Sequence, residues 1–188
     1  MLKRITVLSQ DPRARFTGVV YLSYFLTAIF SQFFINRPVI YVIANLIAFA
    51  CYIVLTLLFY FMFKPVNKRL SLIAAIFSLA GCIIGVYGLF QLAPSFLNPL
   101  LFFGSYCILI GWLLFRSTFL PRILGLLMML AGLSWLFFLT PLAKNLTLYI
   151  EVLGIFAEAL LMLWLIVKGV NVQRWKSFLV CLPDDNQH

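Results

Sequence analysis

The sequence contains very little charge and almost no acid. Of 188 residues, five are aspartate or glutamate, one is histidine, and 10% are charged. A soluble domain needs more polar surface than this to meet water, so the composition excludes one. The single histidine is His188 at the C-terminus, which argues against a bis-histidine haem or a histidine-based metal site. We therefore expect no cofactor and no metal.

Apolar residues make up 64% of the chain, and the mean hydropathy is +1.09. Six apolar stretches are long enough, or nearly so, to cross a bilayer, which takes about 20 residues. The fourth of them is the shortest. The predicted spans are Phe16–Ile35, Pro38–Phe63, Leu70–Leu92, Leu100–Phe115, Ile123–Ala143 and Thr147–Val167.

Short connections join these spans, so successive helices should be antiparallel neighbours. The predicted fold is all-α, a polytopic six-helix transmembrane bundle over residues 1–169. Residues 170–188 are predicted to form a cytoplasmic tail that lies partly in the membrane interface.

The formal net charge of +9 comes from basic residues that alternate with the spans. Twelve of the fourteen fall on one side of the membrane, and only Arg37 and Lys144 fall on the other. The twelve are Lys3, Arg4, Arg13, Arg15, Lys64, Lys68, Arg69, Arg116, Arg122, Lys168, Arg174 and Lys176. Lys/Arg bias in short loops sets orientation, so both termini should be cytoplasmic. The expected partners of these loops are membrane lipids with anionic head groups, and not nucleic acid.

Two acidic residues, Glu151 and Glu158, lie inside the apolar bulk, both on the last span. A separation of seven residues places them on one helix face, roughly 10 Å apart along the axis. A carboxyl at membrane depth is costly and is usually turned inward, paired or protonated, so it is a candidate functional site. Glu158 is the stronger candidate for a ligand, proton or ion site. The alternatives are a tie between helices or a subunit contact for Glu158, and simple hydration for Glu151.

Other polar residues were placed by counting from the span midpoints. Tyr106 falls near the midplane with Glu158, whereas Gln32, Asn45 and Glu151 fall in the outer half. This distribution predicts a pocket that opens outward, with Glu158 at its floor and within reach of Tyr106. These five residues form the predicted ligand or proton site, and no catalytic residue is predicted.

Span three carries small residues spaced by four, three, four and three. They are Ala74, Ser78, Gly81, Gly85 and Gly88, and Ser71 is expected to lie off this stripe. Small residues let membrane helices approach closely. Packing inside the chain is the expected role, and a homodimer face or close approach of a ligand are the alternatives.

Several segments resemble a family of bacterial multi-pass membrane proteins that is catalogued only as a domain of unknown function. The most specific run is Arg116-Ser117-x-x-Leu120-Pro121-Arg122-Ile123-Leu124-Gly125. The segments that carry the resemblance are Arg15–Leu22, Phe63–Ala75, Phe102–Leu114, Arg116–Ala131 and Glu158–Val170. The resemblance implies an integral membrane fold of about this helix count, in the bacterial cytoplasmic (inner) membrane, and it supplies no activity.

Glu158 matches an acidic position associated with this family, but two departures stand out. Members often have an arginine and an acidic residue where this chain has Ser78 and Gly81, and a histidine where it has Tyr106. If those groups carry a family chemistry, this chain has lost or altered it, which argues against an enzyme.

Three classes of function fit these observations. The first is a small transporter, or a bundle that binds a solute or lipid, with Glu158 as its intramembrane carboxyl. The second is an accessory or structural subunit, with a homo-oligomer or a membrane complex as its partner. The third is an intramembrane enzyme, although such enzymes usually show His, Asp or Ser-His constellations, which are absent.

The alternation of basic loops predicts which turns face outward. In intact cells that express a Cys181→Ser background, Asn36→Cys, Ser95→Cys and Asn145→Cys should react with a membrane-impermeant maleimide. Asn67→Cys should react only after lysis, because its turn is predicted to be cytoplasmic. Labelling of Asn67→Cys in intact cells would contradict the topology.

Overall fold

The computed structural model describes residues 12–92, 98–137, 139–140 and 146–170, and these contain six helices and no strand. Five of the helices are long and apolar enough to cross a membrane. The chain is thus an all-helical, multi-pass membrane protein, as predicted. The helices are α1 (Pro12–Phe33), α2 (Pro38–Phe63), α3 (Lys68–Leu89), α4 (Pro99–Arg116), α5 (Arg122–Phe137) and α6 (Thr147–Val167).

The predicted bounds are confirmed at both ends of α2 and α6 and differ elsewhere. The shortest helix is α5, with 16 residues, and not α4, which has 18. α4 begins earlier than predicted because Pro99 takes its first turn and the Asn98 side chain accepts a hydrogen bond from Leu100 N at 2.9 Å. The predicted end of span five, at Ala143, and the tail beyond residue 170 lie outside the described residues.

The helices pack as a closed ring. Each helix contacts its neighbours in sequence, and α1 also contacts α6. A single hydrophobic cluster inside the ring draws buried side chains from all six helices, with Phe59, Leu113 and Leu161 among the most buried. Large apolar side chains also cover much of the outer surface, as is typical of helices that face lipid.

The closest backbone approach among the described glycines joins α4 to α5 through two antiparallel pairs. A β-carbon on Gly132 would lie 2.6 Å from the Gly104 carbonyl oxygen, and one on Gly111 would lie 2.7 Å from that of Gly125. The paired glycines are seven residues apart on each helix, so both pairs lie on one face. These contacts were not predicted from the sequence.

The small residues of α3 pack inside the chain, as expected. Gly81 lies against Phe102 and Phe103 of α4, and Gly85 lies against Phe49 of α2. Ala74 and Ser78 are fully buried as well.

The prediction was wrong about two residues: Gly88 does not belong to the buried stripe, and Ser71 does. Gly88 is exposed and would place a β-carbon in open space. Ser71, expected to lie off the stripe, is buried, and its hydroxyl donates a hydrogen bond to Tyr60 O at 3.1 Å. The buried face therefore runs from Ser71 to Gly85, because the spacing of three and four continues toward the start of α3.

Gly132→Ala should destabilise the bundle by about 1–3 kcal/mol, because the new methyl group would overlap the Gly104 backbone. Thermal unfolding of the protein purified in detergent measures this. Gly88→Ala is the matched control, and it should be neutral or stabilising by up to about 1 kcal/mol through helix propensity. An equal loss of unfolding free energy in the two variants would show that the close α4–α5 contact does not determine the stability of the bundle.

Candidate functional site

Glu158 lies near the midpoint of α6, where it is partly buried and hydrogen-bonded. The Tyr21 hydroxyl of α1 donates to Glu158 Oε2 at 3.1 Å. The Trp135 side chain of α5 is a second hydrogen-bond partner of the carboxyl, and its indole lies against Gly154, one turn before Glu158. The carboxyl therefore joins three helices at the place where the ring closes.

Gly18 brings Tyr21 to this position. A β-carbon on Gly18 would lie 2.8 Å from Ile166 N, so the backbones of α1 and α6 nearly touch there. Tyr21 follows three residues later, on the same face of α1. The close approach thus places the phenol beside α6 and not in lipid.

Four tyrosines from three helices form a chain of ring contacts that starts at the tyrosine bound to this carboxyl, and we call them the tyrosine cluster. They are Tyr21, Tyr24, Tyr52 and Tyr106. Ring centroids are 4.8 Å apart for Tyr24 and Tyr52, and 5.9 Å apart for Tyr52 and Tyr106, in edge-to-face geometry. Such contacts hold the rings in fixed orientations. The cluster therefore gives Glu158 apolar surroundings with a few phenol groups.

The Tyr106 hydroxyl is a buried donor that is not satisfied. Tyr106 is 3% exposed, and its hydroxyl has no hydrogen bond of acceptable geometry within the described ranges. It lies beside Thr56, whose hydroxyl donates to Tyr52 O at 2.8 Å and pairs with Ser78. The Thr56 oxygen keeps one lone pair, but the Tyr106 hydroxyl does not meet it in hydrogen-bond geometry. An unmet buried polar group costs about 1–3 kcal/mol. The bundle thus has one buried hydroxyl whose hydrogen-bonding position is open among the described residues.

The expected pairing of Glu158 with Tyr106 is replaced by one with Tyr21. Sequence reasoning overlooked Tyr21 because a tyrosine in an apolar span carries no pattern of its own. The available signals were its depth, which equals that of Glu158 when counted from the helix midpoints, and the glycine three residues before it.

The other three predicted site residues make no described hydrogen bond to Glu158. The Asn45 side chain donates to Tyr41 O of its own helix at 2.8 Å. Gln32 is exposed, and it lies about 16 Å from Tyr21 along α1. Glu151 is partly exposed, two turns before Glu158. Their membership of a site stays a prediction.

The described residues bring together no group of three His, Cys, Asp or Glu side chains that would hold a metal ion. The described cysteines, Cys51, Cys82 and Cys107, are free thiols. The polar groups that the structure places at Glu158 are its carboxyl, the Tyr21 phenol and the Trp135 indole.

Comparison with known proteins identifies the family. The model of a domain of unknown function, DUF4386, matches residues 41–98 and 91–169. The chain belongs to this family. An uncharacterized protein of Archaeoglobus fulgidus is 28% identical over 118 residues, which cover 58% of this chain and 72% of that protein. No solved structure matches.

The DUF4386 match includes Glu158, Trp135 and Tyr106 and leaves out Tyr21. The carboxyl and one of its donors thus lie in the matched region, whereas the donor on α1 lies before it.

A double-mutant cycle should detect the bond between Tyr21 and Glu158. Tyr21→Phe and Glu158→Leu should be coupled by about 0.6–1.7 kcal/mol in unfolding experiments, the range found for hydrogen bonds between membrane helices. Tyr21→Phe combined with Glu151→Leu is the control and should show no coupling. Equal coupling in both cycles would contradict a direct bond.

Proposed function

We propose that this chain is a small transporter, or a bundle that binds a solute or lipid, with Glu158 as its ligand- or proton-binding group. The observation that carries the proposal is the hydrogen-bonded carboxyl near the midpoint of α6, together with the unmet hydroxyl of Tyr106. We place the protein in the cytoplasmic membrane of a bacterium, with both termini in the cytoplasm.

The carboxyl is suited to exchange a proton or a hydrogen bond with a ligand. Leaving it charged in lipid would cost about 2.5–3.5 kcal/mol, and donors from Tyr21 and Trp135 offset part of that cost. A ligand that competes for these donors changes the balance between the charged and neutral carboxyl. Ligand binding and proton binding are therefore linked at Glu158.

The surroundings of the carboxyl define the class of ligand. The tyrosine cluster offers aromatic surface, and Tyr106 offers one donor. Sites of this kind favour a mostly apolar molecule that a few polar contacts orient. We expect an apolar or weakly polar solute, or a lipid, with an oxygen acceptor that reaches Tyr106.

One support for the alternative, an accessory or structural subunit, is the small face of α3 as a docking surface. That face is occupied by Phe49, Phe102 and Phe103 of the same chain. This packing removes one support for the accessory alternative. Among the described residues, no group of three His, Cys, Asp or Glu side chains supports the enzyme alternative.

Tyr106→Phe should separate stability from function. The free protein should unfold at a higher temperature, with a gain of about 1 kcal/mol, because an unmet buried hydroxyl is removed. Binding of the solute should weaken, because the ligand loses its donor. Thermal unfolding of ligand-free and ligand-loaded protein measures both effects. A loss of stability in the free protein would show that the hydroxyl has a partner inside the chain.

The function itself is tested by what co-purifies with the protein. Wild-type protein, Glu158→Gln and Gly88→Ala would be purified in a mild detergent, and their organic extracts compared by mass spectrometry. A solute should be present with wild-type protein and Gly88→Ala, and absent with Glu158→Gln, whose fold is checked by circular dichroism. Identical extracts from all three would contradict the proposal.

Transport would then be measured with the identified solute. Proteoliposomes that contain a pH-sensitive dye should show a proton flux on addition of this solute, and Glu158→Gln should abolish it. Binding of the solute without proton flux would indicate a binding protein and not a transporter. Proton flux in proteoliposomes that contain Glu158→Gln would show that transport does not need the carboxyl.

A further inference from the structure

A second polar feature lies far from Glu158, at the membrane face that carries most of the basic residues. A cleft of about 140 Å³ separates the α2–α3 turn from the end of α4. This volume is well above the roughly 10–15 Å³ that one water needs. We call it the basic cleft, and it is lined by Val66, Asn67, Leu70, Trp112, Leu113 and Arg116.

Arg116 supplies the charge of the basic cleft. Its guanidinium lies over the Trp112 ring, 5.4 Å from the centroid, which fixes its direction. The acidic residues in the described ranges are Glu151 and Glu158, near the start and the middle of α6. Arg116 is the last residue of α4. Successive helices alternate in direction, so α4 and α6 run the same way and their C-terminal ends lie on the same side. These carboxyls therefore lie at other depths, and neither forms an ion pair with Arg116.

The opposite wall of the basic cleft is the first turn of α3. The Asn67 side chain accepts a hydrogen bond from Leu70 N at 2.9 Å and so caps this helix. The backbone N–H groups of Lys68 and Arg69 lie in the first turn of α3, where no carbonyl of the same helix can accept their hydrogen bonds. A helix start of this kind favours an anion, and it adds to the charge that Arg116 already brings.

We propose that the basic cleft binds the phosphate of an anionic phospholipid in the cytoplasmic leaflet. The exposed guanidinium of Arg116 can pair with an anion at the level of the lipid head groups. The exposed Trp112 together with the Leu70 side chain offers apolar contact for the glycerol and acyl chains. Tryptophan is enriched at this depth for the same reason. A free phosphate would use the charge and leave the apolar walls unused. This proposal is independent of the function of Glu158.

Native mass spectrometry of the full-length protein tests the site. Phosphatidylglycerol and phosphatidylcholine with identical acyl chains would be titrated separately into detergent-purified protein. Phosphatidylglycerol should bind more tightly. Arg116→Gln should weaken its binding by about tenfold or more, the factor expected for the loss of a hydrogen bond to a charged group. Phosphatidylcholine binding should fall less, because its choline cation offsets the phosphate charge that Arg116 attracts.

Two further variants make the test specific. Asn67→Asp keeps a good helix cap but adds a negative charge to the basic cleft, so it should also weaken phosphatidylglycerol binding. Lys168→Gln is the matched control. The Lys168 ammonium lies 4.5 Å from the Trp164 ring centroid on α6, a similar pairing outside the basic cleft, and its loss should change binding less than twofold.

Three results would overturn the proposal. The first is equal binding of the two lipids by wild-type protein. The second is an equal loss in Lys168→Gln and Arg116→Gln, which would indicate general surface attraction. The third is binding of inorganic phosphate alone with the same dependence on Arg116, which would indicate a site for a soluble anion.

Discussion

Contact between helix backbones at glycine is the constraint on which this ring of helices depends. Inside a bilayer, helices gain no hydrophobic free energy by associating, so packing must come from close approach. Gly111 and Gly125 provide it between α4 and α5, and Gly18 provides it between α1 and α6. Gly154 of α6 instead makes room for the Trp135 side chain of α5. At each position a β-carbon would lie within 3 Å of the neighbouring helix. The ring closes because side chains are missing at these points.

The closure of the ring also lowers the free-energy cost of the carboxyl at the centre of α6. Glu158 is partly buried and has hydrogen-bond partners on both α1 and α5. Gly18 and Gly154 position those helices, and Tyr21 and Trp135 then reach the carboxyl from either side. A change at either glycine should therefore act on the site as well as on the fold, because the donors move with their helices.

The sequence was sufficient to predict the helices, since hydropathy alone decides which segments cross a bilayer. It also singled out Glu158, because a charge is rare at that depth. It did not reveal Tyr21, whose position depends on contact between the first helix and the last. The α4–α5 contact could not be predicted for a related reason. Gly104 and Gly111 form a contact only because Gly132 and Gly125, with the same spacing, lie opposite them on the antiparallel helix α5.

The extent of the family match divides the site into two parts. Glu158 and Trp135 lie on helices that the DUF4386 match covers, and Tyr21 lies on a helix that precedes it. The matched segment alone would leave the α1 side of the carboxyl open to lipid, because α1 contacts α6 there. In this chain α1 supplies both the closing surface, through Gly18, and a donor, through Tyr21. The first helix therefore determines how the carboxyl is held, while the matched helices determine where it lies.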